Sequence, residues 1–137
     1  MRKLKNNELA RISAEDFKSA KKTPIIVVLD NVRSAMNVGS VFRTADAFLI
    51  EKIYLCGITA TPPNKEIMKT ALGANDSVDW EYMKETKDII GKLKAENHYI
   101  VGVEQTEKAT LLQNYENPNE NMVLIFGHEV FGISQEV

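Results

Sequence analysis

The feature that most constrains this chain is the short, unbroken run Pro24-Ile25-Ile26-Val27-Val28-Leu29, followed at once by a polar stretch with a glycine, residues 30–48. Such a run is too short for a buried helix. Its β-branched content is that of a strand covered on both faces, a property of parallel sheets. Similar runs recur at residues 52–56, 98–103 and 122–126, and between them residues 38–49, 64–72 and 86–96 carry helical periodicity. In the last of these, Ile89, Ile90 and Leu93 share one face. The alternation predicts an α/β domain with a mostly parallel sheet and helices on both faces.

Ahead of the first strand, residues 6–22 read as helical, with Leu9, Ile12, Phe17 and Ala20 on the apolar side. Ser13, three residues before Asp16, resembles a capping box that starts a second helical piece, and Pro24 ends it. The expected organisation is therefore a basic helical extension over residues 1–22 and one domain over residues 23–137. Pro62-Pro63 marks a loop over residues 59–64, in which Asn64 can cap the next helix. A second polar loop is expected over residues 115–121, and Trp80 reads as a packing residue. A chain of 137 residues buries roughly two thirds of its unfolded surface, enough for a core without staples.

The single cysteine, Cys56, excludes an intramolecular disulfide and points to a reducing compartment, with the cytoplasm as the default. Within Ile53-Tyr54-Leu55-Cys56 it reads as a small buried hydrophobe. No stretch has the apolar length of a membrane span. The formal net charge of −2 does not itself suggest a nucleic-acid partner. Its distribution is uneven: residues 1–23 hold seven Lys or Arg against three acids, and residues 104–137 hold six acids against Lys108. The asymmetry fits either one face for phosphate or a solvated helix and an acidic surface.

In open α/β sheets ligands lie beyond the carboxyl ends of the strands, where two candidate segments begin. After Leu29 a loop runs to Asn37, and the following helix is expected to bury Val38, Val41, Phe42, Ala45 and Phe48. Gly39, Arg43 and either Asp46 or Ala47 then form another stripe, with bare backbone at Gly39 where a phosphate or ribose could approach. Plainer readings are open: Asn37 as the helix cap, Gly39 as close packing on the sheet, Arg43 paired with Asp46 on the surface. Arg33 in the loop is equally ambiguous. The second segment, Gly127-His128-Glu129-Val130-Phe131-Gly132-Ile133-Ser134, follows the most apolar strand. It is neither a P-loop nor a dinucleotide fingerprint, and a tight strand-to-loop turn is its plain reading. Neither His128 nor His98 has partners spaced as a metal site, so no metal is expected.

The run Asn37-Val38-Gly39-Ser40-Val41-Phe42-Arg43-Thr44-Ala45-Asp46-Ala47-Phe48 resembles the first motif of the SpoU family of RNA ribose methyltransferases, also called the TrmH family: Asn-x-Gly, three residues, then Arg. The segment from Leu124 to Ser134 resembles the second, Gly-Asn-Glu, two residues, Gly, with His128 in place of the usual Asn. The resemblance implies a SPOUT-type α/β fold with a deep trefoil knot, S-adenosyl-L-methionine as cofactor, a homodimer, and methylation of a ribose 2′-hydroxyl in tRNA or rRNA. It casts Arg43, Asn37 and Glu129 as catalytic residues. Gly127 and Phe126, with Gln105 and Thr106 near the adenosine, fall to the cofactor. Arg33, Arg43, Lys21 and Lys22 are the residues expected to meet RNA.

A guanidinium keeps its proton in proteins, so Arg43 is expected to bind substrate phosphate or stabilise the forming alkoxide rather than act as base. The family's third motif, a Ser-Leu-Asn turn and helix that forms the knot, does not occur in these 137 residues. Weak or no cofactor binding is expected of residues 1–137 alone. The competing expectation is a non-catalytic RNA-binding or dimerising module on the same fold, and the last is an unrelated nucleotide-binding domain.

Overall fold

The computed structural model describes residues 1–118 and 121–137. In chain order the elements are α1 (Ala14–Ser19), β1 (Thr23–Asp30), α2 (Ala35–Ala47), β2 (Ile50–Cys56), α3 (Lys65–Ala71), α4 (Ala74–Ser77), β3 (Trp80–Met83), α5 (Thr86–Ala95), β4 (Tyr99–Gly102) and β5 (Met122–Phe126). One-turn 3-10 helices form at Asn6–Glu8 and Leu112–Asn114. The five strands lie in the order β3-β2-β1-β5-β4, and every pairing is parallel.

Because successive side chains on a strand point to opposite faces, β1 feeds two cores. Val27 and Leu29 pack with Phe17, Val38, Phe42, Ile67 and Ala71 beneath α1 to α4. Ile26 and Val28 pack with Ile89, Ile90, Leu93, Val123 and Ile125 beneath α5. Helices therefore cover both faces, which is why the central strands have no polar side to read. Cys56 is buried and unpaired with another cysteine, and burial pushes its thiol up to about 12.

Several elements depart from expectation. The span over residues 6–22 is not one amphipathic helix: only Ala14–Ser19 is α-helical, and Leu9 and Ile12 stay exposed. Phe17 alone reaches the core, so a longer helix would have had no second apolar anchor to bury. Ser13 accepts from the Asp16 amide at 3.0 Å, the cap expected for the second piece. Asn64 likewise caps α3 through the Glu66 and Ile67 amides. Phe48 is 66% exposed, because α2 ends at Ala47 and Phe48 lies beyond the buried stripe. Trp80 does pack against the core, yet it also opens β3, an edge strand whose central residues face solvent. The middle of the polar loop at residues 115–121, positions 119 and 120, lies outside the described residues. Among the described residues, no helix is long and apolar enough to cross a membrane.

Candidate active site

β1 has β2 on one side and β5 on the other, so the chain leaves it towards one half of the sheet and returns beside it from the other half. The loops after β1 and β5 therefore meet at the crevice where open α/β sheets hold ligands. Glu129 joins them. Its Oε2 accepts from the Arg33 amide at 2.9 Å, and its Oε1 accepts from the Ser34 amide at 2.9 Å and from Asn37 Nδ2 at 3.0 Å. The carboxylate thus sits at the amino end of α2, where backbone amides and the helix dipole favour negative charge. Partial desolvation raises its pKa, but the amides of Ser34, Glu129 itself and Arg33, with the Asn37 side chain, outweigh that and hold it at about 2. A carboxylate so held is a poor base at neutral pH. It is a clamp.

Asn37 is not the cap of α2. Ser34 is, its hydroxyl accepting from the Asn37 amide at 3.2 Å, and this leaves the Asn37 side chain for Glu129. Gly39 serves neither a ligand nor the sheet. It is buried where α2 crosses α3, and a Cβ there would lie 2.1 Å from Thr70 Oγ1 and 2.2 Å from the Ile67 carbonyl. Arg43 is exposed and makes no ion pair with Asp46 or any other described residue. It is six residues beyond Asn37, about 9 Å further along the helix and about a third of the way around it. The structure joins Asn37, Glu129 and the Arg33 backbone by hydrogen bonds, and Arg43, on the same helix as Asn37, is outside that network.

In the second turn, His128 and Gly132 exchange backbone hydrogen bonds of 3.0 and 2.8 Å. His128 Nδ1 accepts from the amides of Val130 at 3.0 Å and Phe131 at 3.3 Å, as an Asn side-chain oxygen does in an Asx turn. The replacement of Asn by His thus keeps the acceptor. Gly132 has φ +71°, and a Cβ would strike the Glu104 carboxylate, which accepts from the Ile133 amide at 3.3 Å. A Cβ on Gly127 would lie 2.2 Å from Gly132 C, so that glycine is required by the turn's own packing. A shallow recess of about 290 Å³ lies between the two loops, lined by Arg33, Ser34, His128, Glu129 and Val130.

For S-adenosylmethionine the fit lies on one side. Gln105 and Thr106 follow Glu104 in the segment after β4, are exposed, and have side chains with no hydrogen bond among the described residues. They can offer donors and acceptors to a nucleoside. Phe126 is half-buried at the end of β5, packed against the α2-side core. Lys21 and Lys22 lie at the opposite, amino end of β1, and the Lys22 ammonium donates to the carbonyls of Phe17, Lys18 and Ala20 and lies 4.7 Å over the Phe17 ring. Lys22 thus closes the end of α1. Among the described residues no group of three or more His, Cys, Asp and Glu is placed to hold a metal ion.

Asp30 borders the site without belonging to either motif. Only 1% exposed, it accepts from the Ser134 amide at 2.7 Å, from Asn31 Nδ2 at 3.1 Å and from the Thr86 hydroxyl. It ties the second turn to β1 and to the start of α5. An acid directly after an apolar strand was the available signal.

Fold and site together define an α/β domain that gathers polar groups from two loops at the switch point of a parallel sheet. Residues 24–137 match the SpoU rRNA Methylase family, and the chain belongs to it. It is 28% identical over 122 residues to an uncharacterized tRNA/rRNA methyltransferase of Synechocystis, covering 85% of this chain and 30% of that protein. An rRNA methyltransferase from Sinorhizobium meliloti superposes with a TM-score of 0.75 at 26% identity, over 85% of this chain and 44% of that one. An AdoMet-bound rRNA methyltransferase structure from the same organism also gives 0.75, at 24% identity, over 88% and 46%. The chain thus spans less than half the length of these three relatives.

Proposed function

We propose that this chain holds the substrate side of an RNA methyltransferase that moves a methyl group from S-adenosyl-L-methionine to a ribose 2′-hydroxyl in tRNA or rRNA, acting as a homodimer. The observation that carries the reading is the Glu129 clamp, which locks the two family motifs into one crevice. The AdoMet-bound relative of the same fold supports the choice of cofactor.

When bound, S-adenosylmethionine would supply an electrophilic methyl group for in-line displacement by the ribose oxygen, with the thioether as leaving group and the hydroxyl proton passing to solvent water. The chain's own work is alignment. Glu129, ionised and fully engaged, positions Asn37 and the Arg33 loop rather than taking the ribose proton. Asn37 keeps its side-chain oxygen for a hydroxyl donor while its Nδ2 is bound to Glu129. The unpaired Arg43 guanidinium binds a substrate phosphate or stabilises developing negative charge on the attacking oxygen. Gln105 and Thr106 hold the cofactor's nucleoside.

The test is transfer of radiolabelled methyl from S-adenosylmethionine to tRNA and rRNA by the full protein, followed by alkaline hydrolysis. A methylated 2′-oxygen cannot attack the neighbouring phosphate, so the label is expected in alkali-resistant dinucleotides. Label released in mononucleotides would place the methyl on a base and overturn the ribose assignment. RNA binding without incorporation would favour the non-catalytic module.

A further inference from the structure

We propose that Phe131 is a stacking platform for an RNA base beside the Asn37–Glu129 crevice, with Arg33 meeting the adjoining phosphate. This rests on the reading of RNA as substrate. Phe131 is 83% exposed and its neighbour Val130 is 73% exposed, at the tip of the turn that carries Glu129. Large apolar side chains this exposed on a tight turn do nothing for the core. Yet Phe131 is held: the turn is closed by the reciprocal His128–Gly132 bonds, and the Phe131 amide is bound to His128 Nδ1. Its ring stacks on the imidazole, with centroids 4.8 Å apart and planes tilted by 33°. A ring already ordered loses little further freedom when a flat partner settles on it.

The surroundings match a nucleotide in three parts. The ring offers a π face, which any base can use. The recess beside it is lined mainly by apolar atoms, with Glu129 and Ser34 at its edge to meet a ribose hydroxyl. Arg33 is exposed on the same recess, its guanidinium without an ion-pair partner among the described residues, and can take the phosphate. Two side chains are too small an apolar area to anchor a stable protein interface, whereas one stacked base needs no more.

The test is fluorescence anisotropy of an end-labelled, unstructured oligoribonucleotide titrated with the full chain over a range of salt. Phe131→Ala is expected to weaken binding roughly 10- to 100-fold with no change in salt slope, and Phe131→Trp to restore it. Arg33→Ala should lower the slope of log affinity against log salt by about 1. If the wild type fails to bind the oligoribonucleotide, the RNA reading fails and this one with it. If the wild type binds and Phe131→Ala binds equally well, the stacking platform alone is wrong. Sedimentation of the same variants decides the remaining case: a dimer lost on Phe131→Ala would make the tip a subunit contact and also overturn the proposal.

Discussion

Glu129 shows how one residue can carry a site without performing its chemistry. Its folded pKa of about 2 lies below the ordinary carboxylate value of 4.5. A depressed folded pKa contributes stability that is present above the unfolded value and lost as pH falls through the folded one. Thermal melts of wild type should therefore weaken between about pH 4.5 and 2, and Glu129→Gln should flatten part of that fall. Asp30 makes a heavier demand, since it is buried and satisfies three donors. Asp30→Ala leaves those donors without a partner, and denaturant unfolding should show a loss of about 3 kcal/mol or more. Arg43→Lys keeps the charge but loses the planar fork; kcat/KM for methyl transfer is expected to drop at least about tenfold with the melting temperature unchanged. Asn37, Arg43 and Glu129 could be picked out as candidates from the resemblance to two family motifs. That Asn37 leaves the cap to Ser34 and gives its side chain to Glu129 could not, because the partner is 92 residues away.

At the level of elements, β1, β2, β4 and β5 announced themselves by apolar runs, at the sheet edge as well as at its centre, and only β3 stayed hidden. β1, β2 and β5 carry continuous apolar runs, while β3 at the sheet edge reads Trp-Glu-Tyr-Met and has no period to detect. The amphipathic pattern over residues 6–22 failed because periodicity states only that a face is apolar, not that anything will cover it. Gly39 is the clearest case of an element contact unreadable in advance. Its missing side chain lets α2 approach α3 to the point where a Cβ would meet the Ile67 carbonyl, which cannot rotate away. Gly39→Ala gains up to about 1 kcal/mol of helix propensity, yet overpacking of about 1–3 kcal/mol opposes it. A fall of several degrees in melting temperature is expected from calorimetry.

Across the whole molecule, stability should follow the sheet. Hydrogen exchange is expected to be slowest in β1, β2 and β5, which share the two cores, faster in the edge strands β3 and β4, and close to unprotected over residues 1–12, which are exposed throughout. By itself the sequence determined the class: apolar runs alternating with helical patterns admit little besides a parallel sheet covered on both sides, because buried strands and amphipathic helices are local properties of composition and period. It also determined the family, through two motifs whose residue types are local as well. The tertiary structure alone decided the strand order, and with it that the loops after β1 and β5 share one crevice. It decided that Glu129 is a clamp, that Gly39 belongs to a helix crossing, and that Lys22 closes α1 rather than facing the crevice. The strand order, the clamp and the helix crossing each depend on contacts between distant segments, whose energies no local pattern encodes, whereas Lys22 closes a helix only two to five residues behind it.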